Sequence, residues 1–111
     1  HAAAFLDSTL TKLGLSEFEK NDFIVFWLPR MRDHDRTFVH FFVNADYDKI
    51  AKHHITPAPD QMIRVYMVIR PADAREICTP QHLPTFSRLK SGFIAVEWGG
   101  SILETKMFSE K

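Results

Sequence analysis

The residue types able to do chemistry are few in this chain and far apart. Glu97 stands beside Trp98, a carboxylate next to an aromatic platform of the kind used to hold sugars, and with Arg64 it makes a candidate ligand site. A small hydrolase or carbohydrate-binding site there needs a second carboxylate for the usual two-carboxylate mechanism, and the sequence does not identify one. The plainer role for Glu97 is an ion pair across the sheet with Arg64 or Arg70, since opposite charges make good cross-strand partners. Asp33, His34, Asp35, His53 and His54 offer imidazole and carboxylate to a first-row metal. Neighbouring residues on a strand point to opposite faces, however, so His53 and His54 cannot serve one ion from a strand. Asp46 and Asp48 lack the glycine and distal glutamate of a calcium loop. Cys78, the single cysteine, can form no internal disulfide and has no neighbouring base to activate it. With no nucleophile elbow, phosphate loop or dinucleotide fingerprint, no catalytic residue, metal or cofactor is expected.

Composition narrows the partners. Lys plus Arg equals Asp plus Glu at 14 each, so there is no net field to hold a nucleic acid or an anionic membrane. No apolar run approaches the length of a membrane span. At 111 residues and 45% hydrophobic, the chain has enough material for one domain with a real core.

The elements that must carry these residues are organised around Phe23 to Met31, the most apolar and aromatic run. Periodicity alone does not separate helix from strand there. The preceding Ser16-Glu17-Phe18-Glu19 is a capping box, which predicts a helix from Ser16. Pro29 is expected to end or kink it near Leu28. Upstream, Leu6, Leu10 and Leu13 predict an amphipathic helix that stops at Gly14, so the chain opens with a helical hairpin. A helix apolar on nearly all sides must be covered on nearly all sides, which places Trp27 against a sheet.

Strands follow. Thr37 to Asn44 alternates with large side chains on both faces and is expected to be central. Asp46 to Asp48 is read as a turn and Ile50 to Thr56 as a further strand. Gln61 to Arg70 has the clearest alternation, with Ile63, Val65, Met67 and Ile69 on the dry face. Pro71 to Lys90 is an irregular excursion. Gly92 to Trp98 is another strand, Gly99-Gly100 a hairpin turn, and Ser101 to Glu104 the return strand. The expected fold is α+β: an N-terminal helical hairpin on a largely antiparallel sheet of four or five strands, in a single domain (1–111).

Three spaced segments carry a resemblance. Phe23-Ile24-Val25-Phe26-Trp27-Leu28-Pro29, the Ile55-to-Val65 stretch with its two prolines, and Val96-Glu97-Trp98-Gly99-Gly100 together resemble the C-terminal region of a family of mostly secreted, functionally uncharacterised proteins. Members carry F-I-V-Y-W-L-P and V-V-E-W-G-G motifs. Phe26 here replaces the motif tyrosine, and the aromatic segment that precedes this region in the family does not occur. The resemblance implies an extracytoplasmic setting and a longer parent protein, and no mechanism. The leading reading is a non-catalytic structural or protein-interaction module. Phe38 and Phe42 lie opposite Val39, Phe41 and Val43, so one face of that strand is expected to pack on the rest of the parent or on a second copy of the domain.

Overall fold

Local chemistry starts and stops the helices. The structure is a computed structural model and describes residues 2–52, 54–73, 75–77 and 79–103. α1 (Ala2–Lys12) ends at Gly14, whose φ of 98° suits glycine. The Leu15 N–H donates to the Leu10 carbonyl and the Gly14 N–H to that of Thr11, each at 3.0 Å, which is a Schellman motif with Leu10 and Leu15 both buried beneath it. α2 (Glu17–Met31) begins on the complete capping box: the Glu19 N–H donates to Ser16 Oγ, and the Ser16 N–H donates to Glu19 Oε1 at 2.8 Å.

Pro29 does not end α2 at Leu28. It sits in the last turn, and the helix continues to Met31, with the Arg32 N–H reaching the Leu28 carbonyl. The Arg30 guanidinium stacks on the Phe26 ring and bonds the Phe26 carbonyl, which supports the turn that the proline weakens. The two helices are joined by Lys20, whose ammonium donates to Asp7 and Glu17 and to Thr11. Its bonds to Glu17 and Asp7 hold its pKa above the ordinary lysine value.

The sheet differs from the sequence expectation in size and direction. Among the described residues it has three strands in the order β1 (Thr37–Val43), β2 (Gln61–Pro71), β3 (Ile94–Ile102). β1 and β2 pair antiparallel, whereas β2 and β3 pair parallel, so the sheet is mixed. β1 is an edge strand, not the central one; β2 is central. Asp46 to Asp48 lies in a short helix, α3 (Ala45–Asp48), and the described residues from there to Gln61 form no strand. Glu104 lies outside the described residues.

Gly99 and Gly100 are not a turn. Both lie inside β3, and the reason is contact: a Cβ on Gly100 would collide with the Met67 carbonyl oxygen and the Trp27 ring. Glycine within a strand marks a close approach of this kind. Trp27 is only 2% exposed and packs on β3 together with Phe23, in a core that also takes Leu6, Leu10, Leu13, Phe41 and the dry face of β2.

A parallel pair needs a crossover, and the described residues of this one form no helix. The described residues from Ala72 to Phe93 run as an extended strap across the helix layer. The Gln81 amide meets the free edge of β1 by accepting from the Phe41 N–H and donating to its carbonyl, both at 2.8 Å, as a strand would. Phe86 N–H donates to the Lys12 carbonyl. Arg88 then donates to Glu19 with both terminal nitrogens and to the Gly14 carbonyl.

Two outcomes follow from this packing. Gly100→Ala is expected to destabilise the domain by about 3 kcal/mol, at the upper end for forced overpacking. Gly99→Ala, whose Cβ would meet the Tyr66 ring at 3.8 Å, stays within about 0.5 kcal/mol. Urea denaturation of the pair distinguishes a strand from a turn, because two hairpin glycines would be affected alike. The second outcome concerns acid. Burial works to raise the Glu19 carboxyl, but the bonds from Arg88 and the Ser16 N–H outweigh it and hold the pKa below the usual value. A lowered folded pKa stabilises fully above the unfolded value of about 4.3 and is lost as pH falls through the folded one. Melting curves taken from about pH 6 downward should therefore fall less steeply for Glu19→Gln than for the parent, and parallel acid limbs would refute the tie.

Candidate functional site

The sheet alternation separates the residues of the candidate ligand site. Arg64 and Glu97 are register partners on β2 and β3 and point away from α1 and α2, toward α3. Trp98 points to the helix side, with its ring 5.0 Å from Phe23 and 5.8 Å from Phe26. Trp98 is therefore no platform for Glu97, whose own face carries Tyr47 and Tyr66 instead.

Arg64 is 2% exposed and its partners are all from the fold. Its Nε donates to Glu97 Oε1 at 2.9 Å, and Nη1 donates to Asp48 Oδ1 and the Ala51 carbonyl, each at 2.6 Å. The guanidinium lies 3.9 Å over the Tyr47 ring, and Tyr47 donates to Glu97 Oε2 at 3.4 Å. Burial first, and the Glu97 charge second, raise the Tyr47 pKa. Both Glu97 oxygens are thus engaged in holding α3 against β2 and β3. Asn44, at φ 44°, completes the corner: its side chain accepts from the Arg64 N–H and donates to the Met62 carbonyl, while its own N–H donates to the Arg64 carbonyl. The recess beside Arg64 holds about 280 Å³ and is lined by Asn44, Asp48, Lys52 and Met62 without Glu97. That is below the usual size of a small-molecule site. The arrangement is a clasp between elements.

Phe38 and Phe42 are half-buried on the same sheet face. The Arg70 guanidinium lies 4.5 Å over the Phe38 ring and is paired with Glu76. Phe42 is flanked by His40, at 4.7 Å between centroids, and by Tyr66 at 6.5 Å. Tyr66 in turn bonds Ser101. This face is therefore partly covered by its own polar tips.

Among the described residues no group of three or more His, Cys, Asp or Glu side chains gathers as a metal site. His53 and Cys78 lie outside them. No helix among them is long and apolar enough to cross a membrane.

Three exposed large apolar groups gather on α2, where cover on nearly all sides was expected. Phe18 is 76% exposed, Val25 65% and Phe26 42%, and Pro29 continues the line. They fall at i, i+7, i+8 and i+11, opposite the buried Phe23, Trp27 and Met31. That spacing was available in the sequence, but reading the helix as buried all round hid it. Phe26 touches Trp98 on β3, and β3 has no further strand on its outer edge among the described residues. The apolar stripe and the open strand edge are thus adjoining parts of one surface.

Comparison with protein-family models, with curated proteins and with solved structures returns no match.

One substitution tests the clasp. Arg64→Met should lower stability by about 2 kcal/mol, less than for a wholly buried pair because the carboxylates of Asp48 and Glu97 can rehydrate. An unchanged denaturation midpoint would mean that Arg64 is held for a ligand and not for the fold.

Proposed function

We propose that this chain is a non-catalytic interaction module of a larger extracytoplasmic protein, and that it docks on the remainder of that protein through the outer face of α2 and the open edge of β3. The observation that carries this reading is the stripe of Phe18, Val25, Phe26 and Pro29, left in water beside a nine-residue edge strand. An apolar stripe of this kind on one helix is typical of a surface that another polypeptide covers. An unpaired strand edge offers a row of backbone groups to an added strand, with Trp98 and Phe26 as aromatic anchors next to it. The resemblance to a C-terminal region of longer secreted proteins favours the parent chain as the occupant. Phe38 and Phe42, with Tyr66 between them and Arg64, form a second and smaller surface on the opposite side of the sheet.

Hydrogen exchange measured on the domain alone and within its full-length parent provides the test. Amides of Ile94 to Ile102 are expected to exchange at least about tenfold more slowly in the parent, and Phe18→Glu with Val25→Glu should remove that protection without unfolding the domain. Equal exchange in both settings overturns the reading. Protection that instead rises with the concentration of the isolated domain assigns the surface to a second copy.

A further inference from the structure

A different part of the molecule has the form of a ligand pocket. Between α1, the α2–β1 connection, β1 and the strap lies a cavity of about 610 Å³. Its size is that of a site for a small organic molecule. The lining is mainly apolar: Phe5 from α1, Met31 from the end of α2, Val39 and Phe41 from β1, and Leu83 from the strap. Phe5 is 43% exposed, with its ring 6.3 Å from that of the buried Phe41, so the aromatic wall runs from surface to core. Gln81 holds the strap in place as the outer wall through its two bonds to Phe41.

The polar groups of this cavity are unbalanced in charge. Lys12 and Arg32 both line it, and neither has a carboxylate partner among the described residues. Lys20, Arg64, Arg70 and Arg88, by contrast, are each paired with acids. Asp35 is the one acid at the cavity, which leaves an excess of positive charge. His34 also lines it, and its Nδ1 is sealed from solvent with no hydrogen-bond partner.

We propose that this cavity binds an amphipathic organic anion, a medium-chain carboxylate, with its hydrocarbon body against Phe5, Met31, Val39, Phe41 and Leu83 and its head on Lys12 and Arg32. Apolar contacts supply most of the affinity, and charge-assisted hydrogen bonds from the two cations select the carboxylate over a neutral or cationic head. The cavity is separate in residues from the docking stripe on α2, and binding here does not depend on that stripe.

Titration of the domain with sodium decanoate, followed by amide chemical shifts, is the test. Saturable shifts are expected at Phe5, Val39, Phe41 and Leu83. Decanol should bind at least about tenfold more weakly than decanoate, and decylammonium more weakly still. Both Lys12 and Arg32 are exposed, so the Lys12→Ala, Arg32→Ala variant keeps the fold; it should lose about tenfold toward decanoate while its decanol affinity is unchanged. Equal binding of the three head groups overturns the proposal, as does the absence of saturable shifts at these residues. Shifts confined to Phe18 and Val25 would also overturn it, by showing a non-specific apolar surface, while leaving the docking reading to its own test.

Discussion

The contact of the Trp27 ring with the Gly100 backbone is the constraint on which the remaining geometry depends. It brings α2 directly onto β3, and Gly100 must also fit against the Met67 carbonyl of β2, so neither side can accept a Cβ. Phe23 and Phe26 then close around Trp98 from the same helix. With α2 seated in this way, β3 lies parallel to β2 with Arg64 opposite Glu97. Replacing the glycine would push the helix from the sheet, and close packing leaves no slack to absorb such a shift.

Charged side chains act here as ties between segments far apart in sequence. Arg88 joins the strap to the capping box of α2 and to the end of α1, Lys20 joins the two helices, and Arg64 joins α3 to β2 and β3. The strap needs such ties because its described residues form no helix or strand, and among them Leu83 and Phe86 are the apolar anchors packed on the core. Each tie also uses charges that would otherwise be read as chemistry. Glu97 is the clearest case: a carboxylate that is an acceptor for a guanidinium and a phenol of the same fold holds a corner together.

What remains after those ties are counted is unevenly distributed. The helix layer covers one face of a three-stranded sheet, and the stripe on α2 has nothing over it among the described residues. Lys12 and Arg32 at the cavity by α1 and β1 likewise have no ion-pair partner among the described residues. An apolar face and an unpaired charge are the two kinds of surface for which association with another molecule lowers the free energy most directly. They occur on different elements, which is why a docking surface and a ligand pocket can coexist in so small a chain.

Local chemistry was legible in the sequence wherever a few neighbouring residues decide the outcome. Gly14 stopped α1, Ser16 and Glu19 started α2, and the alternation of Ile63, Val65, Met67 and Ile69 defined the dry face of β2, because caps and side-chain periods depend on nearby residues alone. The same alternation already implied that Glu97 and Trp98 point to opposite faces. Other outcomes required the whole molecule. Thr37 to Val43 has large side chains on both faces, yet it is an edge strand because the Gln81 side chain takes the position of a neighbouring strand 40 residues away. Gly99 and Gly100 have the composition of a turn, yet both lie inside a parallel strand, where Gly100 leaves room for the ring of Trp27. The cavity has no linear signature either, since four separate segments line it, and the exposure of Phe18, Val25 and Phe26 depends on how many layers the rest of the chain can provide. Turn propensity and amphipathic period are properties of neighbouring residues; strand direction, edge position and which apolar face stays uncovered are set by contacts between residues distant in sequence, and these only the tertiary structure decided.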